Sequence, residues 1–335
     1  MHASRIRVLT MVGCALAAVS CATTGSKSGT TTHASTGPSE WADVIESQPD
    51  PRVVTNAEYR SRISATGLPW RVRERLTGVE MLLVPPGEFV MGMSVGDPDA
   101  MDDERPAHRV TISQPFYLGR YELTQGEWVG VMGYNPSYFQ EANFAIRVAP
   151  DAEARMAELV AEGHTKEEAQ ALVSAGDLVE SDANRWPLET VTPADVEPFL
   201  RRTGLRLPTE AEWEYACRGG LREPRYGELD EIAWYTGNSE QSTHVVGSKL
   251  PNSLGFHDMI GNVWEWCSDW YGSDYYTDCE GGVIDPTGPG AGDFGVARGG
   301  SWDHVPANCR SSFRENHFMP DPRITDFGIR VARNP

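Results

Sequence analysis

The sequence predicts an α+β domain that is rich in irregular coil. Three observations carry this reading. The 335 residues include 33 Gly and 23 Pro, too many chain breakers for long helices to dominate. Apolar runs of strand length are short and bounded by turn residues, as in VEMLLVPPGEFVMG. Helical periodicity occurs only in brief, well-capped stretches, of which RLPTEAEWEYACRGG is the clearest. With 40% hydrophobic and 23% charged residues, the chain can bury one core of moderate size. Its net charge of −19 argues against nucleic acid as a partner, because phosphate binding needs a basic face.

Taken in order, residues 1–20 read as a signal peptide. Arg5 and Arg7 precede an apolar or small-residue run from Val8 to Ser20, which is shorter than the roughly 20 residues of a spanning helix. The run ends in AAVSC. This resembles a bacterial lipoprotein cleavage box with Cys21 as the lipidated residue, although Ala18 stands where Leu is usual. The expected location is the bacterial cell envelope, periplasmic or at the cell surface, with a lipid anchor in the membrane. Residues 21–40 form a Ser/Thr/Gly tether that cannot bury enough apolar surface to fold. Residues 41–78 read as an N-terminal extension, and the domain proper as 79–335.

Within the domain, two short strands flank the turn at Pro85, Pro86 and Gly87, and a strand, a bend and a second strand follow. Thr124 caps a helix with Glu127 at its third position, and Gly133 stops it. Residues 145–184 read as an acidic helical hairpin insertion broken at Gly163. Thr192 and Pro193 open another helix. The helix after Pro208 is capped reciprocally by Thr209 and Glu212 and stopped by Gly219 and Gly220, with Trp213, Ala216 and Cys217 on one apolar face. Irregular β structure and a closing strand, FGIRVARN, complete the chain. Cys217, Cys267, Cys279 and Cys309 are even in number, which in an exported protein predicts disulfides. Three pairings are possible, and those joining Cys309 to Cys217 or Cys267 are preferred because all three lie among the aromatic-rich motifs.

Those motifs carry a resemblance. RLPTEAEWEYA at 206–216, DMIGNVWEW at 258–266, RGGSW at 298–302, CRSSFR at 309–314 and GIRV at 328–331 are similar to hallmark strings of the formylglycine-generating-enzyme (sulfatase-modifying factor) family. So are Phe89–Gly92, Glu104–Val110 and Glu122–Thr124, while the 145–184 insertion departs from it. The resemblance implies a C-type-lectin-like fold. It implies a calcium site made by the side chains of Asp258 and Glu265 and the carbonyls of Gly261 and Val263, since Ca²⁺ takes several convergent oxygens. It places the peptide groove near Trp302 and Arg314.

The family's oxidases hold Cu(I) with two cysteine thiolates. The resemblance puts His304 at the first of these positions, and a spacing of five puts Cys309 at the second. A soft ion prefers paired sulfur, so this set is incomplete for copper. The separate iron-binding pattern of the family's sulfoxide-forming branch, H-x₃-H-x-E, does not occur. Two readings follow. In one, the chain is a non-catalytic envelope lipoprotein that binds a protein or peptide. In the other, it is a metal-dependent oxidase of a protein cysteine rebuilt around His304 and Cys309.

Overall fold

A computed structural model describes residues 38–140, 182–318 and 324–335. The expected signal peptide, Cys21, the tether up to residue 37 and the insertion from 145 to 181 lie outside the described residues. No described helix is long and apolar enough to cross a membrane.

The strands of the described residues form three sheets. The largest has the order β1-β2-β3-β6-β12, built from Ala42–Glu46, Arg71–Glu74, Glu80–Val84, Phe116–Gly119 and Ala332–Arg333. Every neighbouring pair in it is antiparallel. The second runs β10-β9-β7-β11, from Arg314–Phe318, Phe294–Arg298, Trp264–Trp270 and Phe327–Gly328, with β11 parallel to β7. The third is β4-β5-β8, from Gly87–Met91, His108–Ile112 and Val283–Ile284. The turn at Pro85 and Pro86 therefore passes the chain from the first sheet to the third rather than closing a hairpin.

The boundary expected at Val79 falls inside the first sheet. β1 and β2 pair onto β3, and Trp70 and Val72 are buried in the common core. Helix α1 (Ala57–Ala65), capped by Asn56, buries Tyr59 and Ile63 against the same core. Residues 42–78 belong to the domain. On β1 the residues Asp43, Val44 and Ile45 are exposed, as suits an edge strand, and this weakens the alternation that would have marked it.

The capped helices form where their end signals place them. Helix α2 (Gln125–Met132) has a reciprocal Thr124/Glu127 capping box and ends on Gly133 at φ 78°. Helix α3 (Pro193–Thr203) pairs Thr192 with Asp195 in the same way. Helix α4 (Glu210–Arg218) has the Thr209/Glu212 box and ends on Gly219 at φ 53°. Two single-turn helices, α5 (Leu229–Ile232) and α6 (Tyr275–Asp278), complete the α-helices of the described residues.

Helix α4 is buried on nearly every side, including its charged one. Glu210 forms two hydrogen bonds with Arg314, at 2.7 and 3.0 Å. Glu214 accepts from Arg218 at 2.8 Å and also from Arg298. Nearby, Glu104 binds Arg310 at 2.7 and 2.8 Å, and Asp97 adds a third contact at 2.7 Å. Buried charges persist only when paired and hydrogen-bonded. The glutamates of one motif are thus the partners of arginines from another, and this internal ion lattice ties the motifs together. His108 belongs to the same scaffold: it is buried, bonded at Nδ1 to Pro106 O (3.0 Å) and packed edge-on to Tyr276.

Cys217, Cys267, Cys279 and Cys309 are four separate buried thiols, and the expected disulfides are not formed. They sit on α4, on β7, after α6 and in the loop after β9. Cys217 Sγ lies against Met259 O and Cys267 Sγ against Glu265 O, both at 3.9 Å. Each thiol fills a packing position as a small hydrophobe.

Candidate functional site

The loop after β9 builds the site. Gly299 (φ 103°) and Gly300 (φ 85°) turn the chain sharply inward. A Cβ on Gly300 would lie 2.8 Å from Cys309 Sγ, so this backbone lies directly on the thiol. The turn buries Ser301 and leaves the side chain of His304 28% exposed.

Ser301 Oγ lies 2.9 Å from Asp326 Oδ2 and 2.7 Å from His304 Nδ1. Asp326 Oδ2 is itself 3.4 Å from that ring nitrogen. Trp264, at the start of β7, donates its indole N–H to His304 Nδ1 at 3.2 Å. An indole nitrogen can only donate, and Ser301 donates to Asp326, so the Trp264 N–H, the Ser301 hydroxyl oxygen and the Asp326 carboxylate all converge on the Nδ1 edge of the ring. The Nδ1 edge is fully engaged, and the partly exposed remainder of the ring faces outward.

Trp302 is pinned beside this cluster. Its backbone N–H donates to Asn262 O (2.9 Å), its carbonyl accepts from Ser239 Oγ (2.8 Å), and its indole N–H donates to Thr325 O (3.3 Å). Phe139 stands edge-on to the Trp302 ring at 5.2 Å. Glu189 is buried behind them and accepts from Phe139 N–H (2.8 Å) and the Thr190 hydroxyl. Burial is the main cause that pushes its carboxyl up to about 7, and the charge of Asp326 adds to it. The other oxygen of Asp326, Oδ1, is buried without a hydrogen-bond partner among the described residues.

Sequence reasoning placed His304 and Trp302 here and missed Ser301, Asp326, Glu189 and Trp264. The signal for Ser301 lay inside RGGSW. That for Glu189 was an acid set in the apolar run Pro187–Val191. Arg314, expected in the groove, is elsewhere: it is fully buried on β10, bound to Glu210 and stacked over Tyr276 at 4.1 Å. Pairing with Glu210 and Glu214 draws the β10 and β9 arginines towards α4.

His304 and Cys309 do not fit copper. Cys309 is fully buried, and burial pushes its thiol up to about 12, so it stays protonated at neutral pH. His304 has its Nδ1 edge engaged by Ser301, Trp264 and Asp326 and brings no sulfur to the site. The expected calcium ligands do not fit that ion either. Both oxygens of Glu265 are taken by Arg330, at 2.6 to 3.0 Å, and Oε2 also accepts the Trp213 indole N–H at 2.6 Å. Asp258 Oδ2 accepts from Gly247 N–H at 2.6 Å. Arg330 also donates to the carbonyls of Gly119 (2.9 Å) and His257 (2.8 Å), so a guanidinium collects the oxygens around Glu265. Gly261 (φ 83°) shapes the turn between Asp258 and Val263, with its N–H donating to Gly299 O (3.0 Å) and Val263 N–H donating to Glu122 (3.0 Å). Among the described residues, no three His, Cys, Asp or Glu side chains gather as a metal set.

Comparison with known proteins agrees with this architecture. Residues 70–335 match the model of the sulfatase-modifying factor enzyme 1-like domain. The formylglycine-generating enzyme of Streptomyces coelicolor is 31% identical over 285 residues, covering 75% of this chain and 88% of that protein. The chaperone protein LppX of Paenibacillus barcinonensis is 30% identical over 266 residues, covering 67% and 82%. The structure of PvdO from Pseudomonas aeruginosa superposes with a TM-score of 0.57 at 26% identity, over 77% of this chain and 95% of that one. With its three short sheets, capped helices and internal ion lattice, this chain belongs to the sulfatase-modifying factor (formylglycine-generating enzyme) family.

Proposed function

We propose that this chain is a non-catalytic binding module of the bacterial cell envelope, held to a membrane through lipidated Cys21. Its ligand is a segment of another envelope protein, bound at the surface around Trp302 and His304. The observation that carries this reading is the state of the pair His304 and Cys309. The first position has no sulfur, and the second has a sealed, protonated thiol. Oxidation of a substrate cysteine needs thiolates that an ion can reach. The relative named as a chaperone supports a binding role on this scaffold.

Kinship with a formylglycine-generating enzyme favours one alternative, an oxidase of a protein cysteine. The deciding experiment incubates the full chain with Cu(I), oxygen and a cysteine-containing peptide, and reads the product by mass spectrometry. The binding-module reading expects unchanged peptide. Conversion of the cysteine to an aldehyde would establish the alternative. Growth with radiolabelled palmitate, comparing parent and Cys21→Ala, tests the anchor: label on the parent alone is expected, and an unlabelled parent would contradict it.

A further inference from the structure

Asp326 and Glu189 are two buried carboxyl groups close enough to influence one another. Neither has a Lys or Arg partner among the ion pairs of the described residues. Three of their four oxygens are already served. Glu189 accepts from a backbone N–H and a hydroxyl, and Asp326 Oδ2 accepts from Ser301. Asp326 Oδ1 has no donor among the described residues, which for a buried carboxylate oxygen is costly. His304 touches Asp326 on one side and solvent on the other, while the Trp302 indole is bonded to Thr325 O, next to Asp326 in the chain, and packs on Phe139, whose N–H binds Glu189.

We infer that Asp326 Oδ1 is the acceptor of a subsite for a primary ammonium group, supplied as a lysine side chain by the protein partner. This rests on the binding-module reading. Charge selects a cation, since the acids outnumber the positive groups of the cluster and the whole chain carries −19. The adjacent aromatic rings favour the same choice. The single open oxygen selects ammonium over guanidinium. A guanidinium binds carboxylates through a two-pronged fork, whereas ammonium is a compact point charge. Depth selects a side chain over a chain terminus, because the oxygen is buried and, of the groups touching Asp326, His304 is the one partly open to solvent, so a long methylene stem suits the approach. That ring must swing aside, so His304 acts as the gate of the subsite and not as its acceptor.

The test titrates n-butylammonium chloride into the full ¹⁵N-labelled chain at physiological salt and follows the indole N–H signals of Trp264 and Trp302, assigned with Trp264→Phe and Trp302→Phe. Saturable shifts are expected, with n-butylguanidinium weaker by about tenfold or more for want of a second oxygen. Asp326→Asn should abolish the shifts, Glu189→Gln should weaken binding several-fold, and His304→Ala should bind at least as tightly as the parent. Glu189→Gln keeps the test decisive if Asp326→Asn does not fold. An acetylated pentapeptide amide with a central lysine should reproduce the shifts, and pentaglycine amide with a free N-terminus should not. No saturable shift in the parent, an unaffected Asp326→Asn or Glu189→Gln variant, or equal binding of the guanidinium would overturn the subsite. Such a failure alongside a silent oxidation assay would remove only the ammonium subsite. An aldehyde product would remove the binding-module reading itself.

Discussion

Glu265→Ala separates the two roles available to this residue, calcium ligand or guanidinium partner. Glu265 and Arg330 are 1% and 0% exposed, and the carboxylate also accepts the buried Trp213 indole N–H. Removing one member of a buried ion pair leaves an uncompensated charge, at a cost of about 3–5 kcal/mol. The stranded indole N–H adds about 1 kcal/mol or more. A loss of roughly 4–6 kcal/mol should lower the melting temperature by about 7–10 °C in a domain of this size. The assay is thermal unfolding of parent and variant, each in calcium chloride and in EDTA. Because the lost partner is an arginine, the decrement should be equal in the two media, and the parent should melt at one temperature in both. A parent stabilised by calcium, with that gain absent from the variant, would refute the reasoning and restore the calcium site.

Further outcomes follow from the same structure. Iodoacetamide should leave Cys217, Cys267, Cys279 and Cys309 unmodified in the native chain and alkylate all four after denaturation, which mass mapping would show; an unreduced chain in which any pair resists alkylation would reveal a disulfide. Gly300→Ala should destabilise by about 2–3 kcal/mol, because φ is 85° and the new Cβ would press on Cys309 Sγ; an unchanged denaturation midpoint would show that the loop yields. Burial pushes the carboxyls of Glu127, Glu189 and Asp269 up to about 7. The folded chain therefore holds more protons than the unfolded chain from the ordinary carboxylate range up to pH 7, and stability falls as pH rises through that window. Burial also works against Glu210, but Arg314 and Arg298 outweigh it and hold this carboxyl below its ordinary value. That contribution is lost in stronger acid, so the melting temperature should be highest near pH 5; a maximum at pH 8 would contradict this.

What was legible in the chain was local. The Thr124/Glu127 and Thr209/Glu212 boxes and the stops at Gly133 and Gly219 announce themselves within a few residues, because capping is settled by neighbours. The hallmark motifs disclosed the family and through it the fold. Long-range pairing was not legible. β1 and β2 join β3 across a helix, and the exposed residues of β1 hide its membership in the sheet. Glu210 and Glu214 look like the solvent face of α4, because the arginines that bury them lie some 80 to 100 residues away. Arg314 and Glu265 carried the family's chemistry by position, but their neighbours in space are an acid and a guanidinium. An even cysteine count gives no distance between sulfurs. Asp326 lay unnoticed in the approach to GIRV, since nothing nearby signals that a glycine turn will bring Ser301 and His304 to it.

The most direct measurement of the central claim is the copper stoichiometry of the full chain under anaerobic conditions, read by competition with a Cu(I)-specific chromogenic chelator. A sealed thiol at Cys309 and an occupied imidazole at His304 predict that the chelator keeps all the copper, equally for the parent and for Cys309→Ser. One copper withheld per parent chain, and released by Cys309→Ser, would contradict the account.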